Sequence, residues 1–246
     1  MTTRDPDENG WQSSAPAWIE GMAEGGDFIR AHVLDGPMLA RVRAIQPATA
    51  LDVGCGEGRA CRFLTGEGIA MTGLDPVPEM LAAARASDPA STYVQGFAEA
   101  LPFPDATFDL VISYLSLIDI DDYRVAIAEM ARVRASGGHL LMANLNGFAT
   151  ASDTAGIRRC AETDEVLHPL GRYLEERQTW FEWGGMRIRN WHRPLSHYMA
   201  AFLAQGLVLN TFQEPQPTGG PPDRIERYME LPSMVLMEWR KPDATA

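Results

Sequence analysis

Apolar residues in this chain occur in short continuous runs, which alternate with longer stretches where they recur every three or four positions. The runs predict buried parallel strands, and the spaced stretches predict helices that cover them. Because strand, helix and strand follow one another repeatedly, we expect parallel crossover connections. The predicted strands cover residues 48–53, 70–75, 92–95, 108–113, 139–144, 207–212 and 235–239.

The region before the first strand has a different pattern. Residues 1–15 are polar and predict a disordered lead-in, after which apolar residues from Trp18 onward share one helical face. Asp27 is a predicted N-cap of a second helix, and Pro37 can open a third. We therefore expect a helical cap before the core.

A second departure lies between the fifth and sixth predicted strands. Two aromatic-rich runs flank Gly184-Gly185, and a Gly-Gly pair between alternating runs predicts a β-hairpin over Tyr173 to Trp191. We predict a single domain with an inserted lid. Its expected parts are a helical cap at 1–46, a core at 47–146 and 192–246, and the lid at 147–191, together 1–246.

Charge and composition limit the classes of partner. The chain has 246 residues, with 21 Lys and Arg against 33 Asp and Glu, a formal charge of −12. This charge repels phosphate backbones and anionic membranes, so neither nucleic acid nor a membrane is an expected partner. No apolar stretch is long enough for a membrane span and no leader is evident, which predicts a cytoplasmic protein.

The cysteines and histidines do not form metal-binding patterns. The three cysteines, Cys55, Cys61 and Cys160, lack paired-ligand spacing, which argues against a zinc site or a disulfide framework and predicts packing roles in a reducing compartment. No His, Asp and Glu spacing on one helix face suggests a metal site either. We predict no metal.

The chemistry of the chain centres on a glycine-rich turn after the first strand. Asp52 is followed by Gly54, Gly56 and Gly58, a G-x-G-x-G pattern where the chain must turn into a helix. Such glycines let a backbone pass close to a ligand, and the helix start offers free N–H groups. Asp75 ends the second strand 21 residues after Gly54, about where an acid binds ribose in a βαβ unit.

These residues resemble the first two motifs of class I methyltransferases, which bind S-adenosylmethionine. D-V-G-C-G-E-G and the later Leu-Asp carry the likeness, together with A-E-M-A-R-V and its following Gly-Gly. The likeness is nearest to the small-molecule branch that includes the ubiquinone and menaquinone C-methyltransferases. It implies a Rossmann-like, doubly wound α/β fold with a seven-stranded, mostly parallel sheet whose last strand is antiparallel.

The resemblance also implies which residues meet the cofactor. Residues 114–119 follow the fourth strand, whose carboxyl end is where an open α/β sheet places its ligand, so they are expected to line the methionine portion and the substrate entrance. Arg30 is a candidate partner for the cofactor's carboxylate. The predicted cofactor-binding residues are Arg30, Asp52, Gly54, Cys55, Gly56, Asp75, Pro76, Met80, Phe97, Ala98, Ser113 and Leu115.

One position departs from the family pattern. The segment G-F-A-E-A-L-P-F resembles G-D-A-E-x-L-P-F, in which a carboxylate accepts from the adenine amino group. Phe97 stands in the place of that aspartate. An aromatic ring can pack on adenine but cannot accept its N6 hydrogens. We therefore expect ring packing at Phe97 and a main-chain contact at Ala98.

The acceptor side is less defined by the sequence. Trp180, Trp183 and His192 are predicted substrate-pocket residues on the hairpin lid, with His192 facing the sulfonium methyl. For each tryptophan the alternative is a packing role, and for His192 a surface or core position. No catalytic residue is predicted, because in-line methyl transfer needs alignment first and a base only where the acceptor must lose a proton.

Three functions from different classes fit these motifs. The one we favour is a methyltransferase that uses S-adenosyl-L-methionine to methylate a small molecule. The second is a catalytically silent S-adenosylmethionine-binding protein, since binding and chemistry are separate questions. The third is an NAD(P)-dependent oxidoreductase, against which Arg59 counts because it occupies the third glycine position of the dinucleotide fingerprint.

Overall fold

The computed structural model of the chain describes residues 7–23, 25–152, 158–163 and 166–242. Within these ranges a seven-stranded sheet runs through the centre, in which the strands lie side by side in the order 208–213, 234–240, 134–145, 108–114, 49–53, 70–75 and 92–95. Its strands are β1 (Thr49–Val53), β2 (Ala70–Asp75), β3 (Thr92–Gln95), β4 (Phe108–Tyr114), β5 (Arg134–Leu145), β10 (Val208–Gln213) and β11 (Met234–Arg240).

The pairing of these strands confirms the predicted fold class. β1 pairs in parallel with β2 and β4, β2 with β3, and β4 with β5. β11 runs antiparallel to both β5 and β10. The strand order reverses between β1 and β4, and this reversal is where open α/β sheets bind ligands.

Helices cover the two faces of this sheet. Their described bounds lie close to the predicted helices in the core and differ at the N-terminus. They are α1 (Trp11–Met22), α2 (Asp35–Ile45), α3 (Arg59–Thr65), α4 (Pro78–Ser87), α5 (Tyr123–Val133), α6 (Gly147–Ala151), α7 (Leu195–Leu203) and α8 (Pro222–Met229), with a π-helical turn at Arg30–Leu34 before α2.

Alternation along the central strands divides the core into two layers. On β1, Ala50 packs in one buried cluster, whereas Leu51 and Val53 pack in the other. On β4, Leu110 and Val111 divide in the same way. Successive side chains of a strand point to opposite faces, so a continuous apolar run is needed where both faces are covered.

The N-terminal segment differs from its prediction. Residues 1–6 of the predicted disordered lead-in lie outside the described residues, but α1 already begins at Trp11. It extends through Pro16, and Ala15 and Trp18 on it are buried. Apolar side chains of α1 pack with Val77 and Met80 of the core, and this tertiary contact outweighs the polar composition of the segment.

The predicted hairpin is present between β8 (Arg177–Trp183) and β9 (Met186–His192), with Gly184 and Gly185 at its turn. Both glycines have positive φ, as a tight turn requires. Two short strands, β6 (Arg158–Arg159) and β7 (Val166–Leu167), precede it. The hairpin packs against α1: the Arg187 N–H donates to Ser14 Oγ at 3.0 Å.

Candidate functional site

A cavity opens at the carboxyl ends of β1 to β4. The glycine turn forms its floor: the N–H groups of Gly54 and Cys55 both donate to the Leu74 carbonyl, at 2.7 and 3.0 Å, which ties β1 to β2. The segment after β4 forms one wall of the cavity, and the N-terminal helical region forms the other wall. Most of the lining residues lie at the ends of these strands or directly after them.

Gly54 and Gly56 have different reasons to be glycine. Both have positive φ, but a Cβ on Gly54 would lie 2.4 Å from the Ser116 Cβ, so packing against the loop after β4 excludes a side chain there. A Cβ on Gly56 would meet no protein atom within 4 Å. Since Gly56 lines the cavity, that free space is the cradle for a ligand.

Asp75 fixes this turn from the end of β2. Its Oδ2 accepts from the Gly56 N–H and its Oδ1 from the Val77 N–H, each at 2.9 Å. Burial raises the pKa of Asp75 to about 6, and these two hydrogen bonds oppose that rise. A carboxylate has about four acceptor positions, so each oxygen keeps one for a hydroxyl in the cavity.

Asp52 is the second buried carboxylate of the floor. It is 1% exposed, and its Oδ1 has no hydrogen-bond partner within the described structure. Burial, and then the nearby charges of Asp75 and Glu57, raise the pKa of Asp52 to about 8. Its Oδ2 accepts a weak hydrogen bond from the Cys61 Sγ at 4.0 Å. A buried carboxylate oxygen without a partner beside a cavity is costly unless a donor or cation from a ligand satisfies it.

We expect Asp52→Asn to stabilise the ligand-free protein at alkaline pH. A carboxyl whose pKa is raised by folding contributes stability below its unfolded pKa, and that stability is lost as pH rises through about 8. Removing the charge should raise the melting temperature at pH 8 by about 3–8 °C. Differential scanning calorimetry measures this difference.

The control for this prediction is the same pair of proteins at pH 5, where Asp52 of the folded protein is protonated. The difference in melting temperature should be clearly smaller there, because only the stability lost between the ordinary carboxyl pKa of 3.8 and pH 5 is involved. Asp75 and Asp119 also have raised pKa values, so the stability of the variant still depends in part on pH. An Asp52→Asn protein that is less stable than the parent at pH 8 would contradict the assignment of Asp52 as an uncompensated charge.

The third strand end supplies an apolar surface. Phe97 and Ala98 line the cavity together with Glu99, and Val77 and Met80 face them from the start of α4. Phe97 is 37% exposed, so its ring is not part of the core. The position of Phe97 therefore fits packing on a flat ligand, and its role stays a prediction.

The N-terminal wall carries two tryptophans that the sequence reasoning did not assign to the site. Trp11 and Trp18 line the cavity with ring centroids 5.1 Å apart, edge to face. The Trp18 indole donates to Glu57 Oε2 at 3.2 Å. They are seven positions apart on α1, a spacing that places both on one helix face. This spacing is the feature of the sequence from which their shared position could have been predicted.

Arg30 lies in the same wall. Its guanidinium forms an ion pair with Asp27 and stacks over the Trp18 ring, 4.7 Å from the centroid. The Asp27 carboxylate also accepts from the Arg30 N–H, at 2.8 Å, as a helix cap does. This double contact holds the arginine at the cavity.

The loop after β4 forms the opposite wall. Tyr114, Leu115, Ser116 and Asp119 line the cavity, whereas Leu117 and Ile118 of the same predicted stretch are buried in the core or nearly so. Ser113, a predicted cofactor residue, is fully buried and does not line the cavity. Its hydroxyl instead lies 2.8 Å from Ser116 Oγ, so it supports the wall from beneath.

The three predicted substrate-pocket residues lie elsewhere. Trp180 is 39% exposed with Arg187 stacked 3.9 Å from its ring centroid, and Trp183 is 46% exposed near the hairpin turn. His192 is buried between the Thr150 hydroxyl, 2.7 Å from Nδ1, and the Tyr173 carbonyl, 2.8 Å from Nε2. Burial lowers the pKa of His192, and none of the three lines the cavity.

The physical reason is that α1 occupies the place expected for the hairpin. The Arg189 N–H donates to the Asn9 carbonyl at 2.9 Å, so β9 is a support for the N-terminal segment. The predicted residues that the cavity does bring together are Arg30, Asp52, Gly54, Cys55, Gly56, Asp75, Pro76, Met80, Phe97, Ala98 and Leu115.

Two absences concern only the part of the chain that the structure describes. No group of three or more His, Cys, Asp or Glu side chains within it could hold a metal ion. No helix among the described residues is long and apolar enough to cross a membrane.

Comparison with known proteins shows which domain and which fold this chain is similar to. Residues 51–142 match the family model described as a methyltransferase domain. A putative S-adenosylmethionine-dependent methyltransferase from Listeria monocytogenes superposes with a TM-score of 0.73 at 21% identity, over 83% of this chain and 96% of that one. A second such methyltransferase, from Mesorhizobium loti, gives 0.71 at 25% identity, over 82% and 96%.

The chain therefore has the fold of the class I S-adenosylmethionine-dependent methyltransferases, and the matched domain spans the strands that build the cavity. Among sequence relatives, the malonyl-[acyl-carrier protein] O-methyltransferase of Enterobacter lignolyticus is 39% identical over 108 residues, 44% of this chain and 43% of that protein. The enzyme of the same name from Erwinia billingiae is 40% identical over 129 residues, 52% and 50%. The chain spans about half the length of these relatives.

Proposed function

We propose that this chain binds S-adenosyl-L-methionine in the cavity and methylates a small molecule. The observation that carries the proposal is the floor of the cavity, where the open cradle at Gly56 lies beside the half-satisfied Asp75 and the buried Asp52, whose Oδ1 has no partner within the described structure. The cofactor has two ribose hydroxyls and an ammonium group, which are the donors that these carboxylates lack. The residues present fit the group.

The roles follow from the strand ends. Asp75 would accept from the ribose hydroxyls, which directs adenine toward Phe97 and Ala98 at the end of β3 and the methionine portion toward β4. Asp52 would face the ammonium group, and the guanidinium of Arg30, which lines the cavity, would meet the carboxylate. Pro76, Met80, Cys55 and Leu115 would complete the contact surface.

When bound, the cofactor supplies a methyl group activated by its sulfonium. The part of the protein is to align an acceptor with that methyl and to exclude water. Trp11 and Trp18 cover the cavity from the N-terminal side, where they displace solvent at low side-chain entropy. Alignment of this kind can supply much of the rate enhancement.

The other two functions have less support. For an NAD(P)-dependent oxidoreductase, the third fingerprint glycine is Arg59, whose guanidinium forms an ion pair with Asp35 at 2.6 Å. A silent binding protein would not need room for an acceptor beside the cofactor. The cavity extends past the glycine turn to the N-terminal segment and the loop after β4, which supports a site with such room.

The acceptor is proposed to be a small molecule and not a nucleic acid, because the formal charge of −12 repels phosphate backbones. The relatives are named for a malonyl group on a carrier protein, and about half of their length is matched. Their substrate is therefore one candidate here. A cytoplasmic location also stays a prediction, which the three free cysteines support.

Isothermal titration calorimetry tests the cofactor. S-adenosylmethionine and S-adenosylhomocysteine should bind, and NAD should not. Gly56→Ala should weaken the binding of S-adenosylmethionine and of S-adenosylhomocysteine by about 5- to 150-fold, because a methyl group added to a filled cradle costs roughly 1–3 kcal/mol.

Gly137→Ala is the matched control. Gly137 also has positive φ and open space around a Cβ, so the backbone strain is similar, but it lies outside the cavity lining. The Gly137→Ala protein should bind S-adenosylhomocysteine with the same affinity as the parent. Preference for NAD, or equal weakening by the two alanine variants, would refute the proposal.

A further inference from the structure

One end of the cavity is left over once the cofactor is assigned to the glycine turn, Asp75 and the β3 end. This acceptor end is bounded by the N-terminal segment before α1 and by the loop after β4. Its lining is rich in carboxylates and indole, namely Glu8, Asn9, Trp11, Asp119, Ile120 and Asp121.

Charge compensation at the acceptor end is uneven. Arg189 lies 2.6 Å from Asp121 Oδ1 and 4.0 Å from Glu8 Oε1, so these two carboxylates share one cation. Asp119 instead accepts hydrogen bonds from the neutral Asn190 amide and the Trp11 indole. Within the described residues, Asp119 has no ion pair, although the charges of Arg30 and Arg193 act on it from farther away. Of the three carboxylates, Asp119 is therefore the one without a directly paired cation.

Asp119 is also held in place before any ligand binds. Its N–H donates to the Ser116 carbonyl at 2.9 Å, and the Trp191 N–H donates to the neighbouring Ile118 carbonyl at 2.8 Å. Two hydrogen bonds leave acceptor capacity on the carboxylate. A fixed acceptor group needs little reorganisation when a donor arrives.

The aromatic wall beside Asp119 is suited to a cation. The Arg30 guanidinium already stacks on Trp18 and lies 5.9 Å from the Tyr114 ring centroid. Trp11 and Trp18 meet edge to face, and their two rings form what we call the indole corner. Positive groups are attracted to the faces of such rings. An anionic acceptor would meet carboxylates here.

We propose that the methyl acceptor carries a primary or secondary amine, which Asp119 anchors against the indole corner. This inference rests on the proposed methyltransferase function. It disfavours a free carboxylate as acceptor, and so separates this chain from the malonyl chemistry in the names of its relatives.

In the proposed methyl transfer, Asp119 accepts one proton from the bound ammonium, and the freed nitrogen lone pair forms the N–C bond to the transferred methyl. The C–S bond breaks with its electron pair going to sulfur, which leaves S-adenosylhomocysteine and a methylated ammonium. Asp119 then releases its proton to solvent.

The protonation behaviour of Asp119 supports this role. Burial raises its pKa to about 7, while the hydrogen bonds and the positive charges of Arg30 and Arg193 oppose the rise. A proton acceptor works best when its pKa lies near the working pH. The carboxylates of Glu8 and Asp121 line the same end of the cavity.

The test uses a matched pair of probes, phenethylamine and 3-phenylpropionate, which share a ring and a two-carbon arm and differ in the sign of charge. Each is titrated by calorimetry at pH 7.5 into protein saturated with S-adenosylhomocysteine. We expect phenethylamine to bind at least tenfold more tightly. Asp119→Asn should reduce that preference to less than about threefold and leave S-adenosylhomocysteine affinity within twofold of the parent.

Asp105→Asn is the control for net charge. Asp105 is exposed and paired with Arg132 at 2.8 Å, away from the cavity, so its loss should leave the preference unchanged. Equal or tighter binding of 3-phenylpropionate overturns the proposal, as does failure of both probes to bind. A preference that persists in Asp119→Asn overturns the assignment to this residue. Failure of S-adenosylhomocysteine to bind would instead refute the proposed function.

Discussion

Replacing Asp75 with alanine is expected to weaken S-adenosylhomocysteine binding by about 10- to 150-fold. The variant loses the acceptor for two ribose hydroxyls, and hydrogen bonds to a charged group contribute about 1.5–3 kcal/mol. It also releases the Gly56 N–H, which Asp75 holds at 2.9 Å, so the cradle itself loses a support. Titration calorimetry on the two proteins measures the difference.

Asp88→Ala separates ligand binding from a general loss of hydrogen bonds. Asp88 is a similarly buried carboxylate at the far end of α4, where it accepts from the Ala90 N–H at 3.0 Å and from the hydroxyls of Ser91 and Thr65. It does not line the cavity. Its alanine variant should be less stable but bind normally. An Asp75→Ala protein that binds within threefold of the parent would remove Asp75 from the site.

The core and the floor of the site could be predicted from the sequence because their signals are local. A continuous apolar run such as 48–53 requires cover on both faces, which is the condition of a parallel strand. The glycine turn and Asp75 then follow from one βαβ unit, in which a strand end and the next strand end must be neighbours. Gly54 and Asp75 accordingly line one cavity.

The walls of the site could not be predicted in the same way, because they depend on which surfaces pack together. Aromatic density around Gly184-Gly185 indicated a hairpin correctly but did not show which face it would cover. The spacing of Trp11 and Trp18 contained the relevant signal, but the surrounding polar residues favoured a disordered segment. The hairpin supports α1, and α1 covers the cavity.

A buried arginine connects the end of the hairpin to the loop that forms one wall of the site. β9 ends next to Arg193, which is 2% exposed and lies between the rings of Tyr123 and Trp191, 4.3 and 4.6 Å from their centroids. Its guanidinium donates to the carbonyls of the loop after β4. The conformation of the loop therefore depends on Arg193, which directly follows the hairpin. No motif within the loop itself predicts this dependence.

Arg193→Met is therefore expected to lower the free energy of unfolding by about 3 kcal/mol, since buried carbonyls left without donors cost roughly 1–3 kcal/mol each and water recovers part of this. The carbonyls that lose a donor are those of Leu117, Ile120 and Asp121, at 2.8, 2.7 and 3.0 Å. Urea unfolding measures the loss of stability. Hydrogen exchange at residues 116–121 should become faster under native conditions.

The exchange measurement distinguishes a positioning role from general packing, and Arg134→Met provides the comparison. Arg134 is also buried and donates to two carbonyls, of Ala135 and Gly138, but it lies at the opposite end of the sheet, at the start of β5. Its variant should be destabilised without faster exchange at 116–121. If Arg193→Met left that exchange unchanged, the loop would be held by its own turn and by the contacts of Asn190 and Trp191 on β9. Asp119 would then keep its position without help from Arg193.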